Sequence, residues 1–250
     1  MTFPILGGNG AVAGYSIDNS LRFNDDDSAY LSRTQTAGNR RTFTWSAWVK
    51  RGNIGTRQSI FSAGIDGNSE SYIWFHQSNR MHIRESTSNI SAFIYETTQV
   101  FRDPSAWYHI VLAVDTTQGT DSNRLKIYVN GSQITSFVQE THPSQNYETR
   151  WNNNSQVTYL GMSTPSYRFY FDGYMSDVHF IDGQQLSPTD FGEFDSDSGI
   201  WKPIEYTGSY GTNGYYLDFE NSGSLGADSS GNGNNFTPTN LASTDQMIDT

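Results

Sequence analysis

The sequence contains no cysteine, which excludes disulfides and thiolate metal sites but does not decide the compartment. It has no apolar run of roughly 18 residues, the length that crosses a bilayer, so no membrane insertion is expected. Residues 1–20 lack a basic stretch followed by a continuous apolar one, so no signal peptide is expected either. Charge is scarce: Asp, Glu, Lys and Arg make up 16% of the chain, and the net charge of -11 argues against nucleic acid or an anionic membrane as partner. His76, His82, His109, His142 and His179 show no zinc-ligand spacing, and no Gly-x-Ser-x-Gly nucleophile motif occurs.

Aromatics are plentiful, at 14% of residues, which suits strands and aromatic-lined surfaces. A chain of 250 residues can bury a sizeable core without covalent staples. The most informative stretch is residues 107–131. Tyr108, Ile110, Leu112 and Val114 alternate with Trp107, His109, Val111 and Ala113, so both faces of this strand are apolar, as in a layered core. Leu125, Ile127 and Val129 repeat the period of two, and Asn130-Gly131 closes the run with a turn pair that tolerates positive φ. His109 is expected to be a packed or edge residue, so its replacement should affect stability and leave partner binding largely intact.

Other strands follow from the same periodicity. Phe43, Trp45, Ala47 and Val49 alternate with Thr44, Ser46, Trp48 and Lys50 and give a half-buried strand with one face in the core, and Trp48 falls on the polar face. Residues 59–65 and 71–77 form a hairpin around Asp66-Gly67, and 80–84, 91–95, 157–162 and 168–171 are further short strands. In residues 174–181, Met175, Asp177, His179 and Ile181 are expected on one face, and Tyr174, Ser176, Val178 and Phe180 on the other. Ser187-Pro188-Thr189-Asp190 has a cap residue and a proline at the first helical position, which predicts one short helix near 188–193 and no other. The fold class expected is all-β, a two-sheet antiparallel jelly-roll sandwich. Residues 1–14 read as an arm and 15–195 as the jelly roll. Residues 196–250 read as a Gly/Asn/Ser-rich extension, with a strand in 214–219, that either wraps the sandwich or opens a following domain.

Saccharide recognition needs rings that stack on sugar CH faces and polar side chains that bond hydroxyls. Residues 139–156 combine amides with Tyr147, Arg150 and Trp151, and Trp48, Trp74 and Tyr167 add ring candidates elsewhere. For each, packing in the core or under a loop is the competing account. Asn24-Asp25-Asp26-Asp27 is either an acidic surface turn or an oxygen-ligand site for a hard cation.

The ordered motifs Leu21-Arg22-Phe23, Phe43-Thr44-Trp45-Ser46-Ala47-Trp48-Val49, Trp107-Tyr108-His109, Tyr128-Val129-Asn130-Gly131, Tyr159-Leu160-Gly161 and Phe171-Asp172-Gly173-Tyr174 resemble a concanavalin A-like, laminin G-like jelly roll over roughly residues 15–195. Phe180-Ile181-Asp182-Gly183-Gln184, Phe191-Gly192-Glu193-Phe194, Trp201-Lys202-Pro203 and residues 206–211 resemble, more narrowly, virion proteins of tailed bacteriophages, many of them marine. That likeness implies a non-enzymatic structural protein on the particle exterior, as fibre, appendage or head decoration. Its partners would be other virion proteins and host-surface polysaccharide, with homo-oligomerisation left open. The laminin G-like resemblance also implies a structural Ca2+, with Asn24, Asp25, Asp177, Asp228 and Asn232 as the matching ligands. One alternative is a carbohydrate-binding module of a secreted or cell-surface protein. Behind it stands a glycoside hydrolase, against which the glutamates speak: they are isolated, with no Glu-x-Asp-x-Glu triplet of the laminarinase kind.

Overall fold

The computed structural model describes residues 15–66 and 68–248; the arm expected at 1–14 and the hairpin glycine Gly67 lie outside the described residues. Two 8-stranded antiparallel sheets form a sandwich. The first sheet runs β10 (Ser132–Gln133), β9 (Leu125–Val129), β8 (Tyr108–Asp115), β3 (Thr42–Arg51), β13 (Gly173–Asp182), β1 (Asn19–Phe23) and β18 (Gln246–Ile248), and β16 (Tyr215–Leu217) also pairs with β13. The second runs β11 (Phe137–Thr141), β7 (Ile90–Val100), β6 (Arg80–Thr87), β5 (Ser69–Phe75), β4 (Gln58–Asp66), β12 (Val157–Leu160), β2 (Tyr30–Thr34) and β17 (Thr237–Thr239). β14 (Gly192–Phe194) and β15 (Trp201–Pro203) form a separate two-stranded ladder. Residues 196–250 thus contribute strands to the same two sheets as residues 15–195.

The core lies between the sheets. Trp45, Val49, Ile110 and Leu112 enter it from the first, and Phe61, Ile73, Phe75 and Ile83 from the second. The residue 107–131 hairpin lies to one side of the central β3–β13 pair, and its turn has Asn130 at φ 48 and Gly131 at φ 78. A Cβ on Gly131 or on Gly192 would strike the Trp201 indole, so these two glycines form the slot that seats it.

Four expectations are corrected. The helix near 188–193 is a single 3-10 turn, Pro188–Asp190, with Ser187 N–H donating to Asp190 Oδ2 at 2.9 Å. It ends because Gly192 and Glu193 enter β14; two other 3-10 turns occur, at Asp121–Asn123 and Ser243–Asp245. Residues 168–171 form no strand: Arg168 has φ 51, and the segment meets its neighbours through separate bonds such as Phe171 N–H to Gly161 O. In β13 the register shifts between Ser176 and His179, with Asp177 at φ 52. This bulge puts Met175 in the core with Val178 and Phe180, and leaves Asp177, His179 and Ile181 on the outer face. Finally, β3 is not half-exposed: Thr44 and Ser46 on its outer face are fully buried.

Around Val111 and Ile181 that outer face is covered by the chain itself. Val111, Ile181 and Phe191 form a second cluster, joined by Tyr128, Leu186, Tyr206 and Tyr210. His109 is stacked between Trp48 and Trp201. Trp201 Nε1 donates to His109 Nδ1 at 3.0 Å, which leaves Nε2 to carry the proton and donate to Ser46 Oγ at 2.8 Å. Burial lowers this imidazole to about 3. Its folded value lies below the unfolded one, so its contribution to stability is present above pH 6.5 and is lost as pH falls toward 3. His109→Gln should therefore reduce stability at pH 7 and flatten the acid-side slope, by up to about 1.4 kcal/mol per pH unit, in denaturant titrations at pH 7 and pH 5. Trp151→Ala, which empties a fully buried core position, should cost about 3–5 kcal/mol by urea denaturation.

Candidate functional site

The outer face of the first sheet is covered over Val111 and Ile181 but keeps a hollow beside Trp48 and Trp107, and the outer face of the second sheet carries a groove with a longer run of rings. Alternation along β5 sends Ser71, Ile73 and Phe75 inward and Glu70, Tyr72 and Trp74 outward; along β6 it sends Met81 and Ile83 inward and His82 and Arg84 outward. Register places Trp74 opposite His82 and Tyr72 opposite Arg84, and on β7 it places Glu96 opposite His82 and Ile94 opposite Arg84. The loop after β12 brings Tyr167 and Phe169 to one wall, and Arg57, just before β4, completes a groove of about 270 Å³. Thr164 Oγ1 donates to Glu70 Oε2 at 2.8 Å and pins that loop to β5.

The groove holds a continuous run of rings. Tyr72 and Trp74 stack with centroids 3.9 Å apart, Phe169 meets Trp74 edge-on at 5.2 Å, and Tyr167 stacks on Phe169 at 5.6 Å. Tyr167, at 44% exposure, is the open end; Trp74, at 7%, is the floor, and its indole Nε1 has no hydrogen-bond partner. The Arg57 guanidinium lies 5.6 Å from the Trp74 ring centre and 5.5 Å from that of Phe169. His76 and His82 stack at 4.8 Å; Glu96 accepts from Arg80 Nη1 at 3.2 Å and lies 3.5 Å from His82 Nε2. Burial pushes Glu70 up to about 7, with the Thr164 hydroxyl opposing it in part, and pushes Tyr72 up to about 12. Burial also brings His82 down to about 4 against the pull of Glu96. Chemically, the groove offers ring surface for apolar CH groups and guanidiniums for acceptors.

Of the six ring and Arg residues proposed from sequence, only Trp74 and Tyr167 meet here. Trp48 is half-buried on the other side of the sandwich, where it lines a hollow with Tyr15, Ile17, Trp107, Ser176 and Pro203. Trp151 is corrected to a core residue: it is fully buried and stacks on Phe61 at 5.6 Å. Tyr147 and Arg150 belong to the anchor of their loop. The inward-facing Glu85 accepts Tyr147 OH at 2.7 Å, Arg150 N–H at 2.9 Å and Ser71 Oγ at 2.5 Å. A buried carboxylate needs such donors, so this loop's polar and aromatic residues turn inward to satisfy it.

The residues named for Ca2+ do not fit a single ion. Asp228 Oδ1 accepts the Tyr216 and Ser230 amides at 2.9 Å each, and Oδ2 accepts that of Asn234 at 2.7 Å. Asn232 Nδ2 donates to Gly211 O and Gly214 O, which directs its amide to holding a turn. Asn24 Nδ2 donates to Asp27, and Asp25 accepts from Asn53. Asp177 is buried with Tyr15 OH at 2.7 Å and His179 Nε2 at 3.3 Å. Among the described residues, no three His, Asp or Glu side chains are grouped to hold a metal.

Sequence reasoning missed Arg57, Tyr72, His76, His82, Arg84 and Phe169. The signal was available in part: Glu70, Tyr72, Trp74 and His76 share one parity, as do His82 and Arg84, whereas Phe169 and Arg57 arrive from loops that no periodicity describes.

The profile described as the concanavalin A-like lectin/glucanases superfamily matches residues 23–190. No curated protein matches the chain. Among solved structures, a Bacteroides ovatus protein described as a candidate carbohydrate binding protein is 14% identical with a TM-score of 0.55, covering 94% of this chain and 60% of that one. NanB with optactamide is 13% identical with a TM-score of 0.51, covering 73% of this chain and 30% of that one; NanB is a sialidase of Streptococcus pneumoniae. The SAP-like pentraxin of Limulus polyphemus is 15% identical with a TM-score of 0.47, covering 68% and 78%. At these identities the likeness is one of fold. The chain spans less than two thirds of the Bacteroides and NanB chains.

Because Glu70 holds its proton more tightly folded than unfolded, its contribution to stability is full below pH 4.5 and is lost as pH rises to about 7. Glu70→Gln, which has no proton to lose, should remove that slope, gaining up to about 1.4 kcal/mol per pH unit relative to wild type across the window. Paired denaturation curves at pH 5 and pH 8 check it.

Proposed function

Since this chain belongs to the concanavalin A-like lectin/glucanases superfamily, we propose that it is a non-enzymatic glycan-binding domain that takes saccharide in the groove of its second sheet. The observation that carries this is the ring run Tyr72, Trp74, Phe169 and Tyr167, buried at one end and exposed at the other, with Arg57 and Arg84 beside it. The exposed Tyr167 end of the run can stack on a sugar face while the buried rings hold it in place, and the surrounding guanidiniums bond hydroxyls.

The same geometry supports binding over hydrolysis. Glycosidases need two carboxyl groups roughly 5–9.5 Å apart across the scissile bond. Glu70 and Glu96 are offset by about four residues along the strands and two strands across, which is roughly 15 Å at ordinary strand spacings. Glu96 is also committed to Arg80 and His82.

The finer assignment is display on a virion exterior, among other virion proteins and facing host-surface polysaccharide. It is carried by the sequence resemblance of residues 180–184, 191–194, 201–203 and 206–211. A module of a secreted or cell-surface protein would use the groove in the same way. Calcium has no part in this reading.

A glycan array followed by titration calorimetry tests the groove. Tyr167→Ala should weaken the bound glycan about tenfold, about 1.4 kcal/mol, with little change in stability, because the side chain is exposed. Trp48→Ala, on the opposite sheet, should leave affinity unchanged. If Trp48→Ala abolished binding and Tyr167→Ala did not, the groove would be the wrong site; if no glycan bound the wild type, the glycan-binding reading itself would fall.

A further inference from the structure

The charge around the groove runs against that of the chain. With a net charge of -11, most of the surface repels anions, yet three arginines face the second sheet's groove or its edge: Arg57, Arg80 and Arg84. Only Arg80 has a carboxylate partner. Among the described residues, the ion pairs involve Arg40, Arg41, Arg80, Lys202 and three histidines, and neither Arg57 nor Arg84 takes part in one. Arg84 donates to neutral oxygens, Ser91 Oγ at 2.8 Å and Asn89 O at 3.5 Å, and Arg57 rests on the faces of Trp74 and Phe169.

The two carboxylates near the groove do little to cancel these cations. Glu96 is already held by Arg80 and His82. Glu70 is buried, bonded by Thr164, and raised to about 7 by desolvation against the opposing field of Arg84, so near neutral pH it is only partly ionised. What remains facing a ligand is a ring floor flanked by two guanidiniums without counter-ions. A guanidinium presents a planar fork of donors that matches carboxylate and oxyanion geometry.

On the reading that the groove binds saccharide, we propose that its ligand is an anionic sugar, with Arg57 and Arg84 receiving a carboxylate or sulfate group carried by a ring that stacks on the exposed Tyr167. A charged substituent at the edge of a pyranose lies beside the ring while its CH face stays free to stack. One sugar residue can therefore use the Tyr167 ring and the cationic wall together.

The test uses the full chain and oligosaccharides matched in length: a neutral hexose oligomer, an oligouronate, and a sulfated oligomer. In calorimetric titrations at low salt, either the uronate or the sulfated ligand should bind at least tenfold more tightly than the neutral one, and whichever does identifies the anionic group. That preference should shrink in 0.5 M salt, because exposed charges are screened over a few ångströms there. Arg57→Gln and Arg84→Gln should each cut the preference several-fold, and Arg57→Lys, which keeps the charge, should restore part of it. Arg57 is exposed, so its variants should keep the wild-type circular dichroism spectrum. Equal binding of neutral and anionic oligomers would overturn the charge assignment while leaving glycan binding intact. So would a preference unmoved in folded Arg57→Gln and Arg84→Gln. Failure of all three sugars to bind would overturn the groove's saccharide reading as well.

Discussion

Strand β8 carries apolar side chains on both of its faces, and this constraint shapes the rest of the molecule. Ile110, Leu112 and Val114 fill the space between the sheets. Val111 and His109 face the other way and would be wet unless something covered them. The chain supplies the cover after leaving β13: Leu186, Phe191, Trp201, Tyr206 and Tyr210 lie over Val111, Ile181 and His109. The small β14–β15 ladder exists because this cover must satisfy its own backbone while crossing an apolar surface. This packing leaves only the hollow beside Trp48 and Trp107 on the first sheet's outer side, while the second sheet's outer side keeps the groove with the continuous run of rings.

The bulge at Asp177 is the second device that makes this possible. A strictly alternating β13 would put Asp177 on the same face as Met175, and so into the apolar core. The extra residue turns the carboxylate to the outer layer, where Tyr15 and His179 meet it. Burial pulls this carboxyl upward, but the neighbouring His179 and the bonds it accepts outweigh that and hold it below the usual carboxylate range. On the same edge of β13, β1 pairs with residues before the bulge and β16 with residues after it. The C-terminal extension thus enters the first sheet where the bulge changes the strand's register.

How much of this could be read from the sequence depended on whether the signal was periodic. Strands such as β3, β8 and β9 were legible because alternation and a turn pair suffice to define them. The bulge was not, since Asp177 looks like any other residue of alternating parity until its neighbours are in place. The residue 139–156 loop misled for a different reason. Aromatics among amides are what a sugar platform requires, but they are equally what a buried carboxylate requires, and the inward orientation of Glu85 decides between the two. Trp74 was chosen on residue type alone. Its partners were hidden because Arg57 and Phe169 reach the groove from irregular segments, and only the three-dimensional path of the loop after β12 brings them over β5.

The groove's shape and its charge meet at Glu70. This side chain closes one end of the ring floor and also holds the loop that carries Tyr167 and Phe169, through Thr164. A carboxyl group poised near neutrality would be a poor anchor if its bond existed in only one protonation state. A hydroxyl, however, can donate to a carboxylate or accept from a carboxylic acid. The Thr164 contact therefore survives either state, and the loop keeps its place while the charge beneath the groove changes. Buried acid and hydroxyl together fix the position of the ring wall without fixing a negative charge next to the arginines, so the electrostatic character of the surface is set by Arg57 and Arg84.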